Sequence, residues 1–316
     1  MTSLRPLGSS DLEVHPLCLG GNVFGWTADE TQTFAVLDAY TAGGGNFIDT
    51  ADSYSAWAPG NSGGESETLI GKWLAARSNR SEVVLATKVG AHPQYKGLSA
   101  ATIKSAAEES LRRLGTDYID LYYTHFDDPS VEVEEIVTAL DALVREGKVR
   151  AVAASNLTTE RLQESLEFAE REGLARYVAL QPHYNLVSRE TYEGSKQELA
   201  SRWGLAAVPY YALASGFLTG KYRPGAEVDS PRAGGAAKHL ETARGPRVLD
   251  ALDTVAKAHE AAPATVALAW LAAQPTVVAP IASARSVEQL PALLAVAELT
   301  LTDEELRLLA VASASA

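Results

Sequence analysis

Cysteine is almost missing from this chain. Cys18 is the only one in 316 residues, which excludes an internal disulfide and a cysteine-rich zinc centre. It stands in an apolar run and reads as a core residue. Basic charge is also scarce: 27 Lys and Arg against 40 Asp and Glu give a formal −13. Nucleic acid and anionic membrane surfaces both need a basic face, so neither is expected as a partner. An anionic cofactor needs only a local basic pocket and survives that argument. No apolar stretch reaches the ~18 residues of a membrane span, and the opening MTSLRPLGSSDLEV has no apolar signal core. A cytoplasmic enzyme or binding protein acting on a small molecule is the expectation, and nothing in the sequence sets an oligomeric state. The histidines are His15, His92, His125, His183, His239 and His259. No His-x-His pair closes a strand, which counts against a metal-dependent barrel hydrolase, and no metal site is expected.

What is present is the material of a globular fold, 46% hydrophobic and 21% charged, long enough to bury a sizeable core. Leu4 to Leu7, a Gly8-Ser9-Ser10 turn and Leu12 to Val14 predict an opening hairpin. Short apolar runs follow at Leu17–Leu19, Phe47–Ile48, Val83–Thr87, Ile119–Tyr123, Ala151–Ala153, Val178–Leu180, Ala206–Val208 and Val277–Ala279. Apart from Asp120 they lack a polar alternate face, as strands covered on both sides do. Between them, Val137, Leu140 and Val144, then Leu162, Leu166 and Ala169, then Leu249, Leu252 and Val255 carry helical spacing. Gly147 and Gly173 stand where helix C-caps belong. The triplet Gly43 to Gly45 follows a helix and precedes a strand, the reverse of a dinucleotide loop, and reads as a helix stop. About eight strand–helix repeats predict an α/β fold, a (β/α)8 TIM barrel as a single domain over 1–316. A doubly wound sheet is the alternative, and the lack of any GxGxxG after a predicted strand counts against it. Thr302 to Val311 predicts an extra C-terminal helix. The longest irregular stretch runs from Tyr222 to Gly245 and is expected to be either functional, as a lid, or disordered.

In such barrels the active site lies at the carboxyl ends of the strands. The predicted strands end at Asp49, Lys88, His125, Ser155-Asn156, Gln181 and Tyr210, and Tyr54 follows Asp49 in NFIDTADSY. Each alone has a structural reading, as a turn cap, a solvated charge or a core histidine. Together they would share one bowl, and a chemistry fits them. A phenol with an ordinary pKa of ~10 is a poor acid, and an ammonium beside it favours the phenolate. The ammonium needs a carboxylate partner in a pocket, for which Asp49 is placed. His125 can hydrogen-bond a substrate oxygen. The set suits protonation of a carbonyl oxygen while hydride reaches carbon, and since it holds no electron source a nicotinamide cofactor is required. The rivals are a class I aldolase with Lys88 as the Schiff-base amine, and a nucleotide-sensing subunit with little turnover. Trp26, Trp57 and Phe126 lie just beyond strand ends and would wall a pocket for an apolar or aromatic carbonyl.

The stretches GNFIDTADSY, VVLATKVG, SLRRLGTDYIDLYYTHFDD, ALDALVREGKVRAVAASN, LQPHYNL, GFLTGKY and ARSVEQL occur in order, and with them the chain resembles the aldo-keto reductase superfamily over nearly its whole length. It is most similar to bacterial members related to potassium-channel β subunits. The resemblance implies a barrel that binds NADP(H) without a Rossmann motif, with Tyr54 as general acid and Asp49, Lys88 and His125 completing a tetrad. It implies that Ser155, Asn156 and Gln181 hold the nicotinamide carboxamide and that Tyr210 stacks on the ring. Leu213, Ser215 and Lys221, with Tyr211 nearby, would follow the pyrophosphate, and Gly21 and Asn22 would line the reactive end. Ser283, Arg285 and Gln289 would meet the 2′-phosphate and adenine. Separately from the resemblance, the Tyr222 to Gly245 loop is expected to fold over the cofactor, with Arg232 as its candidate phosphate contact. Two departures stand out. Ala292 and Leu293 replace an acid and an asparagine that contact adenine in many relatives, and YYAL replaces YSPL at Tyr210 to Leu213.

Overall fold

The computed structural model describes residues 3–225, 228 and 233–315. Eight parallel strands form the central sheet: β1 Cys18–Gly20, β2 Phe47–Asp49, β3 Val84–Val89, β4 Ile119–Thr124, β5 Val149–Ser155, β6 Tyr177–Gln181, β7 Ala206–Ala207 and β8 Ile281–Ala282. They lie side by side in the order β7-β6-β5-β4-β3-β2-β1-β8. The sheet curls until its edges meet. Ala207 pairs in parallel with Val277, the Ala207 N–H donates to the Thr276 carbonyl at 2.8 Å, and the Val278 and Ile281 N–H groups donate to Ala207 and Pro209, each at 2.9 Å. The result is the expected (β/α)8 barrel. Helices α1 Glu30–Ala42, α2 Glu65–Arg77, α3 Ala100–Leu114, α4 Val133–Arg145, α5 Thr159–Glu172 and α6 Ser195–Trp203 connect successive strands. Two further helices, Arg244–Ala258 and Pro263–Ala272, lie between β7 and β8. Among the described residues no helix is long and apolar enough to cross a membrane.

The eighth strand differs from its expected place. Val277 and Val278 pair with β7, and the segment then shifts so that Ile281 and Ala282 pair with Cys18 and Leu19. Pro280 stands between the two pairings and has no N–H to give, so a continuous ladder on both sides cannot form there. The Pro280 carbonyl still accepts from the Cys18 N–H at 3.0 Å.

Side-chain alternation along each strand decides what reaches the top of the barrel. Phe47 in β2, Val84 and Ala86 in β3, Leu121 and Tyr123 in β4, Ala151 and Ala153 in β5, and Ala179 in β6 belong to one inner cluster. Counting on by two along each strand gives Asp49, Lys88, His125, Ser155 and Gln181. The intervening residues Ile48, Leu85, Tyr122, Val152 and Leu180 pack in the outer layer under the helices. The antiparallel hairpin of Arg5–Pro6 with Glu13–Val14 closes the opposite end, and Leu7, Leu12 and Val14 join the inner cluster as a plug. Asp120, the one polar residue of the predicted runs, is buried at the start of β4. It accepts from Arg80 and Arg150, each at 2.7 Å, and from the Leu85 N–H at 3.0 Å, so the buried charge is compensated from several sides.

Helix ends follow the local sequence. Ser99 and Thr158 cap α3 and α5 by accepting from the N–H groups of Thr102 and Arg161, and Gly115 and Gly173 end them in the left-handed region. The final helix, Asp303–Ala312, opens with a capping box between Thr302 and Glu305. The described part of the stretch from Tyr222 to Gly245 has more regular structure than expected. It contains a helix at Ala233–Ala237, a 3₁₀ turn at Lys238–Glu241 and the start of the next helix at Arg244. Its alanines favour helix locally, and the glycines that read as loop sit within that turn-rich run.

The glycine triplet after α1 ends the helix, and Gly45 has a packing reason. A Cβ on Gly45 would lie 2.2 Å from the Tyr40 ring. That ring is fully buried, and its hydroxyl accepts from the Phe47 N–H at 3.2 Å and donates to the Leu17 carbonyl at 2.7 Å. Tyr40 therefore joins β1 to β2 and cannot move aside. Gly45→Ala is expected to destabilise the fold by about 1–3 kcal/mol through overpacking, read as a lower urea midpoint with unchanged m; an unaltered midpoint would mean that this corner relaxes freely.

Candidate active site

The strand ends surround one cleft of about 820 Å³. At its floor, Lys88 is fully buried and Asp49 is 1% exposed. The Lys88 ammonium donates to Asp49 Oδ2 at 2.6 Å, to the Thr50 carbonyl at 2.7 Å and to the Tyr54 hydroxyl at 2.9 Å. An ammonium has three donors, so all are committed and no lone pair is left for Schiff-base formation, which counts against the aldolase reading. Tyr54 donates to the same Asp49 oxygen at a longer 3.3 Å. The other oxygen, Oδ1, accepts from Gln181 Nε2 at 2.9 Å.

The resting phenol is not acidified, which differs from the sequence expectation. Desolvation at the floor, and after it the Asp49 carboxylate, push the Tyr54 pKa well above its ordinary value. Lys88 is adjacent but shares its charge with Asp49, which faces the phenol as well. Desolvation, with Lys88 second, holds His125 well below the ordinary histidine value, so its imidazole is neutral. Its ring meets the Tyr54 ring edge-on at 6.0 Å, and the buried Nδ1 has no partner among the described residues.

One wall carries a polar chain. Tyr210 donates to Asn156 Oδ1 at 2.9 Å, Asn156 Nδ2 donates to Ser155 Oγ at 3.0 Å and to the His125 carbonyl at 2.8 Å, and Ser155 Oγ donates to the Gln181 carbonyl at 3.0 Å. Asn156 sits at φ 55. The left-handed region is one that asparagine tolerates better than most residues. His183, which the sequence did not single out, stacks on Tyr210 with ring centroids 5.4 Å apart.

Next along the cleft the backbone turns through Tyr211 (φ 53), Ala214 (φ 47), Ser215 (φ 57) and Gly216 (φ 94). Three of these are not glycine, and such conformations cost on the order of 1–3 kcal/mol each. Successive residues in this region, entered from a right-handed one, turn N–H groups toward a common concavity of the kind that binds anions. Leu213, Ser215 and Lys221 line the cleft as expected, with Ala212, Gly216 and Thr219 beside them. No residue after Lys221 in the stretch to Gly245 lines it among the described residues. Arg232 lies outside the described residues.

At the far end Ser283 donates to Asn22 Oδ1 at 2.6 Å, and the Arg285 N–H donates to Gln289 Oε1 at 2.8 Å. No ion pair engages the Arg285 guanidinium among the described residues, and it lines the cleft with Ala262, Ala264, Ala292 and Leu293. Gly21 is a correction. The cleft is lined by Gly20, whereas a Cβ on Gly21 would meet Ser66 Oγ at 2.9 Å and the Asp49 carbonyl at 3.1 Å. Strand alternation explains it, because Cys18 and Gly20 share the inner face.

The mouth on the Tyr54 side is aromatic. Trp26 and Trp57 meet edge-on at 5.7 Å, Trp57 and Tyr54 at 6.0 Å, and Phe126 stacks on His125 at 4.7 Å. Trp57 and Phe126 are each 51% exposed, so they are rim residues rather than core. Val23, Thr27, Ser53 and Ala91 complete this end, and only Asp49 among its lining residues is charged. Among the described residues no group of three or more His, Cys, Asp or Glu side chains could hold a metal ion.

Comparison with known proteins agrees with this arrangement. The model of the Aldo/keto reductase family matches residues 16–313. The chain is 36% identical over 313 residues to the uncharacterized oxidoreductase YrpG of Bacillus subtilis, covering 96% of this chain and 93% of that protein. It is 31% identical to norsolorinic acid reductase B of Dothistroma septosporum, covering 94% of this chain and 78% of the relative. It is also 31% identical to aryl-alcohol dehydrogenase GME11368 of Pestalotiopsis microspora, covering 95% and 79%. The chain belongs to the aldo/keto reductase family and is an oxidoreductase by that membership.

Proposed function

We propose that the protein reduces neutral aldehydes or ketones, aromatic ones above all, with NADPH, and that Tyr54 is the proton donor. The observation that carries this reading is the Lys88 ammonium bonded at once to Asp49 and to the Tyr54 hydroxyl on the floor of the cleft.

The residues fit a dinucleotide. Ser155, Asn156 and Gln181 offer amide and hydroxyl groups suited to a carboxamide. Tyr210 offers a ring for stacking, held through its hydroxyl by Asn156. The left-handed turn at Ala214 to Gly216, with Lys221 near it, suits a pyrophosphate. Arg285 suits a 2′-phosphate through charge-assisted bonds, which is the ground for NADPH over NADH. The apolar Ala292 and Leu293 leave adenine held by contact rather than by polar side chains. When bound, the nicotinamide supplies the hydride.

The chain's own groups handle the proton. Tyr54 gives its proton to the carbonyl oxygen, and the phenolate left behind is stabilised by Lys88 at 2.9 Å. Asp49 keeps the buried ammonium charged and aimed. Since Asp49 also raises the resting phenol pKa, the donor stays protonated until an acceptor oxygen arrives. The neutral His125 imidazole donates a hydrogen bond to that oxygen. Trp26, Trp57 and Phe126 give a flat apolar group somewhere to lie, and with the Lys88 ammonium committed to Asp49, Thr50 and Tyr54, no Lys or Arg among the described residues at that rim is free to invite an acidic substrate. A relative bearing the name aryl-alcohol dehydrogenase is in keeping with this substrate class.

Tyr54→Phe is expected to bind NADPH as the wild type does while losing about 10²–10⁴-fold in carbonyl reduction, measured by NADPH oxidation across a carbonyl panel; full activity would mean that another acid operates. A wild type that binds NADPH and reduces nothing in the panel would be a sensor instead. Arg285→Ala is expected to weaken NADPH by about 10–100-fold, the range of a lost charge-assisted contact, with NADH little changed; an unaltered NADPH/NADH affinity ratio would remove the phosphate assignment. Because His125 is held well below 6.5, kcat/KM for reduction is expected to show no inflection at the ordinary histidine value. An acid limb there that disappears in His125→Asn would mean that the imidazole titrates normally.

A further inference from the structure

Gln181 is read above as a ligand for the carboxamide, yet its amide nitrogen is engaged elsewhere. It donates to Asp49 Oδ1 at 2.9 Å, with both side chains buried. A carboxylate only accepts, so the end of the Gln181 amide that faces Asp49 has to be its NH₂. Its backbone is held in turn, since the Gln181 carbonyl accepts from Ser155 Oγ at 3.0 Å. A continuous series of bonds thus runs from Tyr210 through Asn156, Ser155, Gln181 and Asp49 to Lys88 and Tyr54.

Resting on the reductase reading, we propose that Gln181 is a positioning residue for proton transfer. It fixes the Asp49 carboxylate, sets how strongly that carboxylate holds the Tyr54 proton, and so links the cofactor wall to the acid. The two Asp49 oxygens are not equivalent. Oδ2 takes Lys88 and Tyr54, and Oδ1 takes Gln181 alone among the described residues. Without that donor Oδ1 has no hydrogen bond among the described residues, and the carboxylate is held through Oδ2 alone. Its charge is also less dispersed, so it is a stronger acceptor toward the phenol. Asp49 already raises the Tyr54 pKa, so removing Gln181 raises it further. The other titratable groups coupled to Tyr54, Asp49 and Lys88 are Cys18 from β1, Asp52 from the turn after β2, Tyr123 from β4, His125 after it and Tyr211 beyond β7. Of these, Tyr123 has its pKa lowered by the Gln181 side chain, so a Gln181 substitution acts on that phenol as well, in the same upward direction.

The test uses Gln181→Met, which has similar length and no donor, with alcohol oxidation followed against pH, because in that direction the phenolate is the base. The pH at which oxidation turns on is expected to move up by about one unit, since a bond to a charged acceptor is transmitted in part to the phenol. Cofactor affinity is measured separately by quenching of protein fluorescence. An unmoved pH profile overturns the proposal whatever the affinity does, since that is the behaviour of a residue serving the cofactor alone. Should Gln181→Met fail to fold, Ser155→Ala removes the hydroxyl that holds the Gln181 carbonyl and is expected to move the profile the same way by less; no movement overturns the proposal. If the wild type shows no turnover, the reductase reading fails on its own. The crystal structure of cofactor-free Gln181→Met then decides, and an Asp49 carboxylate still oriented as here overturns the proposal.

Discussion

The chemistry of this protein depends on an ammonium buried at the top of a barrel. Lys88 is fully enclosed, and isolated charge in such a place is expensive. It is tolerated because three acceptors from one polypeptide turn meet it: Asp49, the Thr50 carbonyl and Tyr54. Two of those are backbone-proximal and rigid, so the third, the phenol, is located by the other two. The same arrangement explains why Asp49 directly follows Ile48 at the mouth of β2 and why Tyr54 comes five residues later. The strand end supplies the counter-charge, and the short polar turn returns the ring over it.

Burial shapes the energetics in both directions. Desolvation holds the phenol protonated and the imidazole uncharged. A phenol that keeps its proton and an uncharged imidazole beside it are both produced by one dry floor. The Lys88–Asp49 pair survives there because each is satisfied by more than the other. Asp49 has Gln181 and Tyr54, and Lys88 has Thr50 and Tyr54. A buried pair without that support would be weak ground for a stable site.

Much of this was legible in the sequence because side chains alternate regularly toward the carboxyl ends of the strands, even in β6, whose register shifts earlier, between Tyr177 and Ala179. Once Phe47, Val84, Leu121, Ala151 and Ala179 face inward, Asp49, Lys88, His125, Ser155 and Gln181 must converge, and the fold and the floor of the cleft follow. The exceptions have local causes. The expected eighth strand is split by Pro280. Gly20 faces the cleft in place of Gly21, a one-residue step that reverses the face. Helix formed in the stretch expected to be irregular because alanines there outweighed the glycines. The left-handed run at Tyr211 to Gly216 could not be foreseen, since only one of its strained residues is glycine. The direction of the Tyr54 shift was missed because sequence names the neighbouring charges without giving their distances or the depth of burial. The Gln181–Asp49 bond joins residues 132 positions apart and has no local signature.

The barrel closes at a seam that is thin in backbone bonds. Where β7 meets the final strand, among the described residues only Ala207, Val278 and Ile281 donate backbone bonds across, in contrast to the long ladders between β3, β4 and β5. Tyr210 to Ser215 belong to one lip of that seam and Ser283 and Arg285 to the other, and both lips line the same cleft. A molecule lying along the cleft therefore spans the place where the cylinder is least stitched. Such a molecule would touch both lips and so add contacts across the join where backbone bonds are fewest.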